Sequence, residues 1–157
     1  MTRFLDRRLV LLGLSAAPLW LAASRALAQS RAIWSAKEAH DALLGDTARV
    51  IDVRSRAEWQ ETGVGAGVWP ISMHEDGFAE RLFAAKVLAG AREAGLICAT
   101  GGRSAALLDT LTRSGHAGFA NVSEGMLGSP RGPGWLAAGL PVVPLDTALA
   151  SLPDDLR

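Results

Sequence analysis

The stretch Leu96-Ile97-Cys98-Ala99-Thr100-Gly101-Gly102-Arg103-Ser104-Ala105-Ala106-Leu107-Leu108 holds the only cysteine in the 157-residue chain. A brief apolar run, "GLICAT", stops at Cys98, and two glycines follow. "SAALLDTLTRSG" then sets Ala105, Leu107, Leu108 and Leu111 on one helical stripe before Gly115. Strand, glycine turn and helix is the unit from which parallel α/β sheets are built. Such a turn gathers backbone N–H groups around one point, because the first turn of a helix has no internal acceptors for them. With the positive end of the helix dipole behind it, the turn forms a cradle for an anion.

A thiol at the mouth of that cradle loses its proton readily, since the amides and Arg103 stabilise the thiolate. Cysteines at helix N-termini or beside cations titrate at about 3.5 to 7.5, against about 8.5 when free. Cys98 is therefore expected to be substantially ionised at neutral pH. Gly101 and Gly102 are expected to supply positive φ angles and close backbone approach. The competing reading, a small buried hydrophobe at a strand end, leaves the Ala99-Thr100-Gly101-Gly102-Arg103 loop unexplained.

Outward from this unit the alternation repeats. "IWSAKEAHDALLG" reads as a short helix stopped by Gly45, and "ARVIDVRS" gives Val50, Ile51 and Val53 as a buried strand with Asp52 and Arg54 at its end. "RAEWQETG" is a short helix closed by Gly63, Val68 to Ile71 a short strand, and "GFAERLFAAKVLAG" an amphipathic helix. Phe119 to Val122 supply another strand, and "GWLAAGLPVVPL" a helical turn and an edge segment. The expected fold class is α/β, a parallel sandwich in one domain.

The first residues are set apart from that domain. "MTRFLDRRLVLLGLSAAPLWLAASRALAQS" has a basic start, an apolar run from Leu9 to Ala23 and the small-residue site Ala26-Leu27-Ala28. This predicts a signal peptide at residues 1–28 and a mature domain at 29–157, exported to a bacterial periplasm. The apolar run is shorter than the roughly 20 residues that span a bilayer, so no membrane span is expected after cleavage. Arg7-Arg8 resembles a twin-arginine signal, with Asp6 departing from the usual residue, and both export routes stay open.

Removing 1–28 leaves 12 basic and 15 acidic residues, a net charge of about −3 that argues against a nucleic-acid or anionic-membrane surface. About half the chain, 49%, is apolar, enough for an ordinary core. One cysteine excludes an internal disulfide. His40, His74 and His116 show no tight spacing with each other or with Cys98, so neither a metal site nor a cofactor is expected.

"CATGGRS" resembles the active-site loop of the rhodanese (sulfurtransferase) family, Cys-x-x-Gly-x-Arg-Ser. "VIDVRSRAEW", "GVGAGVWPIS" and "NVSEGMLG...GWLAAGLPV" resemble further family segments in the right order, covering about Trp34 to Val143. The resemblance implies a rhodanese-like three-layer sandwich, with a central, mostly parallel five-stranded sheet flanked by helices. It implies a sulfur-carrying Cys98 that takes sulfane sulfur from a small-molecule donor such as thiosulfate. A thiophilic acceptor or an acceptor protein thiol then removes it. The backbone of Ala99, Thr100, Gly101, Gly102 and Arg103 would hold the sulfur and donor, Ser104 would belong to the same substrate-binding loop, and Arg103 would add charge and brace it.

Other residues carry two readings each. Asp52 and Arg54 could touch the site edge, although an ion pair that fixes neighbouring loops is the stronger reading. Glu58 reads as a bracing or surface residue, His116 as a capping residue, and Thr100 as either a donor contact or a shaper of the turn. The chain departs from the family at Val64, which stands where His is usual, and at Glu124-Gly125, which replaces Gly-Gly. "GSPRGPG", Gly128 to Gly134, lengthens the segment before Trp135 and cannot be a regular element. Arg131 within it could meet an anionic donor or partner, or sit on a solvated loop. Two rival functions stand: a binding, redox-sensing or sulfur-carrier module without turnover, and a cysteine phosphatase or arsenate reductase. The latter enzymes use a longer gap between cysteine and arginine than the four residues Ala99 to Gly102.

Overall fold

Two Ser-x-x-Glu tetrads decide where the first helices begin. In each, the serine hydroxyl accepts the glutamate N–H while the glutamate carboxylate accepts the serine N–H, a reciprocal cap that stabilises a helix start by about 1 kcal/mol. Ser35 and Glu38 open α1 (Ala36–Leu44), and Ser55 and Glu58 open α2 (Arg56–Thr62). The computed structural model describes residues 33–157, so the export segment read at residues 1–28 lies outside the described residues. The chain continues into α3 (Phe78–Ala89), α4 (Gly102–Arg113) and α5 (Gly134–Ala137).

The strands are β1 (Ile33–Trp34), β2 (Ala48–Asp52), β3 (Val64–Gly65), β4 (Trp69–Pro70), β5 (Glu93–Ile97), β6 (Phe119–Val122) and β7 (Val142–Val143). Five of them form one sheet in the order β1-β6-β5-β2-β4, and every pairing in it is parallel. β3 and β7 pair separately as a small antiparallel ribbon.

Side-chain alternation along the central strands feeds two cores, as a sheet covered on both faces requires. Val50, Ile97, Ala120 and Val122 pack on one face with Trp59, Met126 and Trp135. Ile51, Leu96, Cys98 and Phe119 pack on the other with Leu82, Ala85 and Leu111. Gly95 lies beneath the Trp34 ring, where a Cβ would overlap the indole, so the centre of the sheet admits no side chain there.

Three boundaries differ from the sequence reading. Ile33–Trp34 forms an edge strand beside β6 instead of joining the helix, because Ser35 caps α1 immediately after it. The strand expected over Val68 to Ile71 contracts to Trp69–Pro70 at the sheet edge, where a proline without an N–H is tolerated. Beyond Pro144 a helix, α6 (Leu145–Ala150), and a 3₁₀ turn (Asp154–Leu156) carry the chain from one core to the other. Leu145 and Ala148 are buried in the first core, and Leu152 and Leu156 in the second.

Candidate active site

β2 and β5 are neighbours whose chains leave in opposite directions, β2 through α2 toward β4 and β5 through α4 toward β6. A crevice opens at the carboxyl ends of strands where the order switches in this way. Cys98 is the first residue after β5, at that crevice.

The loop after Cys98 is held from behind. The N–H groups of Met126 and Leu127 donate to the carbonyls of Cys98 and Ala99 at 2.9 and 2.8 Å. Two glycines make this approach possible: Gly101, at φ 82°, faces the Ser123 carbonyl, and Gly125, at φ 68°, faces the Ala99 carbonyl. A Cβ at either would overlap backbone. Gly102 corrects the expectation, because it has no positive φ and open space where its Cβ would be. Only Gly101 of the pair is conformationally required.

No side chain caps α4 at Gly101, so its first amides remain available. The Cys98 side chain is buried, and the Ser104 hydroxyl lies 3.3 Å from Sγ and 3.2 Å from the Gly101 carbonyl. Burial pushes the thiol pKa up. The Ser104 hydroxyl and the N–H groups of Ser104, Thr100 and Gly101 outweigh it and hold the thiol below its ordinary value. The cradle is therefore built from both ends of the turn, with Ser104 contributing a hydroxyl as well as an amide.

Arg103 is engaged first by a carboxylate. Its Nη1 donates to Glu58 Oε2 at 3.0 Å and its Nη2 to Glu58 Oε1. The same Oε2 accepts from the N–H and hydroxyl of Ser55 at 3.0 and 2.9 Å, so the cap of α2 fixes the partner of the loop arginine. Hydrogen bonds from Arg103, ahead of the opposing effect of burial and the help of Ser55, hold the Glu58 carboxyl down at about 2. Arg103 is raised in turn, chiefly by Glu58, with the Cys98 charge adding to the same direction. His74 Nε2 stands 3.1 Å from Arg103 Nη1 on the exposed side.

The Asp52–Arg54 pair is elsewhere. Alternation along β2 turns Asp52 to the opposite face from Ile51 and Val53, which share their core with Cys98. Arg54 Nε donates to both Asp52 oxygens at 3.0 Å, Nη1 to Thr62 Oγ1 at 2.7 Å, and Nη2 to Asp52 Oδ2 and the Gly63 carbonyl at 2.8 Å each. All of it ties the end of β2 to the end of α2.

Glu124, at the departure from Gly-Gly, is also a structural carboxylate. Its Oε2 accepts the N–H groups of Ala36 and Gly134 at 3.3 and 3.2 Å, anchoring the lengthened segment to α1. Within that segment Ser129 and Gly132 exchange backbone hydrogen bonds at 2.9 and 3.1 Å across a two-residue turn, Pro130-Arg131. Arg131 stands at its tip and lines one cleft with Thr100, Gly101 and Gly102.

Ser104's hydroxyl contact and His74 were not read from the sequence as parts of the site. The Ser55-x-x-Glu58 cap was the available signal for a fixed Glu58, whereas nothing near His74 announced its distant partner. Among the described residues no cluster of three or more His, Cys, Asp or Glu could hold a metal ion. No helix among them is long and apolar enough to cross a membrane.

A five-stranded parallel sheet with a glycine loop and thiol at its switch point defines a rhodanese-like α/β protein. Solved structures share that fold. Rv0390 from M. tuberculosis is 26% identical with a TM-score of 0.51, the match covering 69% of this chain and 94% of that one. The 30 kDa polysulfide-sulfur transferase homodimer from Wolinella succinogenes is 23% identical with a TM-score of 0.51, covering 80% and 88%. No family model and no curated protein matches the chain.

Proposed function

We propose that the protein is a sulfurtransferase that carries sulfane sulfur on Cys98. The observation behind this reading is the thiol itself, buried yet shifted toward its thiolate by the Ser104 hydroxyl and three loop amides. Such a nucleophile needs no separate base. The thiolate attacks the outer sulfur of a donor such as thiosulfate, an S–S bond forms on Cys98, and the donor's S–S bond breaks so that sulfite leaves with the electron pair. A thiophilic acceptor, cyanide or a thiolate, then attacks the outer persulfide sulfur and returns the Cys98 thiolate.

Fixed amides serve this cycle because the negative charge stays at one place, moving only from Sγ to the adjoining sulfur. Arg103, itself positioned by Glu58, offsets the charge of an incoming anionic donor. The four-residue gap between Cys98 and Arg103 suits a single sulfur better than a tetrahedral oxyanion. Thiocyanate production from thiosulfate and cyanide, absent in Cys98→Ser, is the expected result. Hydrolysis of aryl phosphates without thiocyanate would support the phosphatase reading instead, and neither activity would leave a binding or sensing module.

The same proposal extends to compartment and processing: export with cleavage after Ala28, giving a mature domain at 29–157 in a periplasm. N-terminal sequencing of the protein recovered from the periplasmic fraction is expected to begin at Gln29. An intact Met1 in the cytoplasmic fraction would contradict it.

A further inference from the structure

Besides Glu58, Arg103 meets a second acceptor, on a segment 29 positions away in the sequence. Ser72 to Gly77 connect β4 to α3, and the start of this turn is pinned. Met73 N–H donates to the Val53 carbonyl at 3.2 Å, His74 N–H to Ser72 Oγ at 3.2 Å, and Glu75 N–H to the Ser72 carbonyl at 3.4 Å. Glu75 also clamps the turn to both flanking helices, accepting from Arg56 Nε of α2 at 2.6 Å and from Arg81 Nη2 of α3 at 2.9 Å. His74 sits between these anchors, and its ring reaches Arg103, with Nε2 standing 3.1 Å from Nη1. The residue is exposed, so core packing does not account for where the ring lies.

The contact has one chemical solution. A guanidinium carries five N–H donors and no acceptor, and it stays protonated in proteins. Arg103 is therefore the donor and His74 Nε2 the acceptor, which puts the ring proton on Nδ1 and leaves the ring neutral. The donors can be counted. Nη1 gives one hydrogen to Glu58 and the other to His74, and Nη2 gives one to Glu58. Nε–H and the second Nη2 hydrogen remain for the thiolate and an incoming anion, and the Cys98 charge already bears on the guanidinium. Glu58 grips one edge only, about which the guanidinium can pivot. A second acceptor on Nη1 removes that freedom, and an uncharged one does so without cancelling the positive charge.

We propose that neutral His74 is a positioning residue that holds Arg103 beside the thiol and thereby sets the preference of Cys98 for anionic reaction partners. The inference deepens the sulfur-carrier reading and rests on it only for the identity of the natural anion. Within that reading, the site favours sulfane donors that carry a negative charge over uncharged organic polysulfanes.

The decisive test needs no sulfur chemistry. Cys98 is alkylated at about pH 8, above the ordinary histidine range, with anionic iodoacetate and with uncharged iodoacetamide. The ratio of the two rates cancels any change in thiol ionisation. His74→Ala is expected to lower the iodoacetate-to-iodoacetamide ratio about fivefold, as loss of one hydrogen bond does. His74→Gln, whose carboxamide oxygen can accept from Nη1, should restore most of it. Nitrogen NMR of the unmodified protein should show His74 as the Nδ1–H tautomer, assigned by its disappearance in His74→Ala. With thiosulfate as donor, KM should rise in His74→Ala by more than kcat falls. A ratio unmoved by His74→Ala, no rescue by glutamine, or a His74 ring that is Nε2–H or averaged between tautomers would overturn the assignment. Wild-type protein that makes no thiocyanate, yet shows the ratio loss and its rescue, would overturn the sulfurtransferase reading and leave the positioning role standing.

Discussion

Two arginine–carboxylate pairs hold the ends of neighbouring strands, and they differ in what they leave free. Arg54 and Asp52, after and at the end of β2, are 1% and 0% exposed, and the guanidinium is consumed by Asp52, Thr62 and Gly63. Arg103 and Glu58, beside the thiol, are 33% and 30% exposed, and Arg103 still faces His74 and Cys98. The closed pair can only hold chain together. The open pair holds the loop and, in the function we propose, leaves charge for an incoming anion. Burial and completeness of bonding, not residue type, separate the two pairs.

That contrast breaks most severely at Arg54. Arg54→Met leaves Asp52 buried without its partner and is expected to cost about 3–5 kcal/mol, read as a lower urea midpoint with the residual folded protein still able to take sulfur. Arg103→Gln should do the reverse: turnover with thiosulfate falls about a hundredfold, as loss of a fixed charge at a reacting anion does, while the urea midpoint falls by less than in Arg54→Met, because the Glu58 pair it breaks is partly exposed to solvent.

Glu58→Gln comes next, with about a tenfold loss in turnover, since it releases one side of Arg103 and weakens a charged hydrogen bond. It carries its own pH signature. The folded carboxyl titrates at about 2 instead of the ordinary 4.5, so its stabilisation is fully present above pH 4.5 and is lost as pH falls toward 2. Stability of the Gln variant, measured by urea melts, should be flatter than wild type across that window.

Ser104→Ala removes one hydroxyl from the thiol and should raise the pH midpoint of Cys98 alkylation by iodoacetamide. An unchanged midpoint would leave the amides alone responsible. As a control, Asp109→Asn breaks the exposed Arg113–Asp109 pair on α4, 71% and 64% exposed, and should change neither stability nor turnover measurably.

Most of the sheet was legible because its strands are short β-branched or apolar runs, each followed by a glycine stop or a helical stripe. Val50 to Asp52 and Leu96 to Ile97 read directly as buried parallel strands. Ile33–Trp34 did not, because a two-residue edge strand has no period to detect and owes its pairing to β6. α6 and the last turn were missed for a related reason: their burial comes from packing on both cores, not from a long amphipathic pattern.

The cradle was legible in outline, since a cysteine before a glycine turn and a helix implies converging amides. Its completion was not. Arg103 lies 45 positions from Glu58 and 29 from His74, and no local pattern encodes such meetings. Gly102 looked equivalent to Gly101 in the sequence, yet only the residue facing Ser123 needs to be glycine.

The claim that Cys98 is a sulfur carrier has a direct measurement: the intact mass of the purified wild-type protein after incubation with thiosulfate and removal of excess donor. The predicted result is a gain of one sulfur atom, lost on adding cyanide and absent in Cys98→Ser. A wild-type mass unchanged by thiosulfate, polysulfide and every other sulfane donor tried, with the thiol still free and alkylatable, would contradict the account.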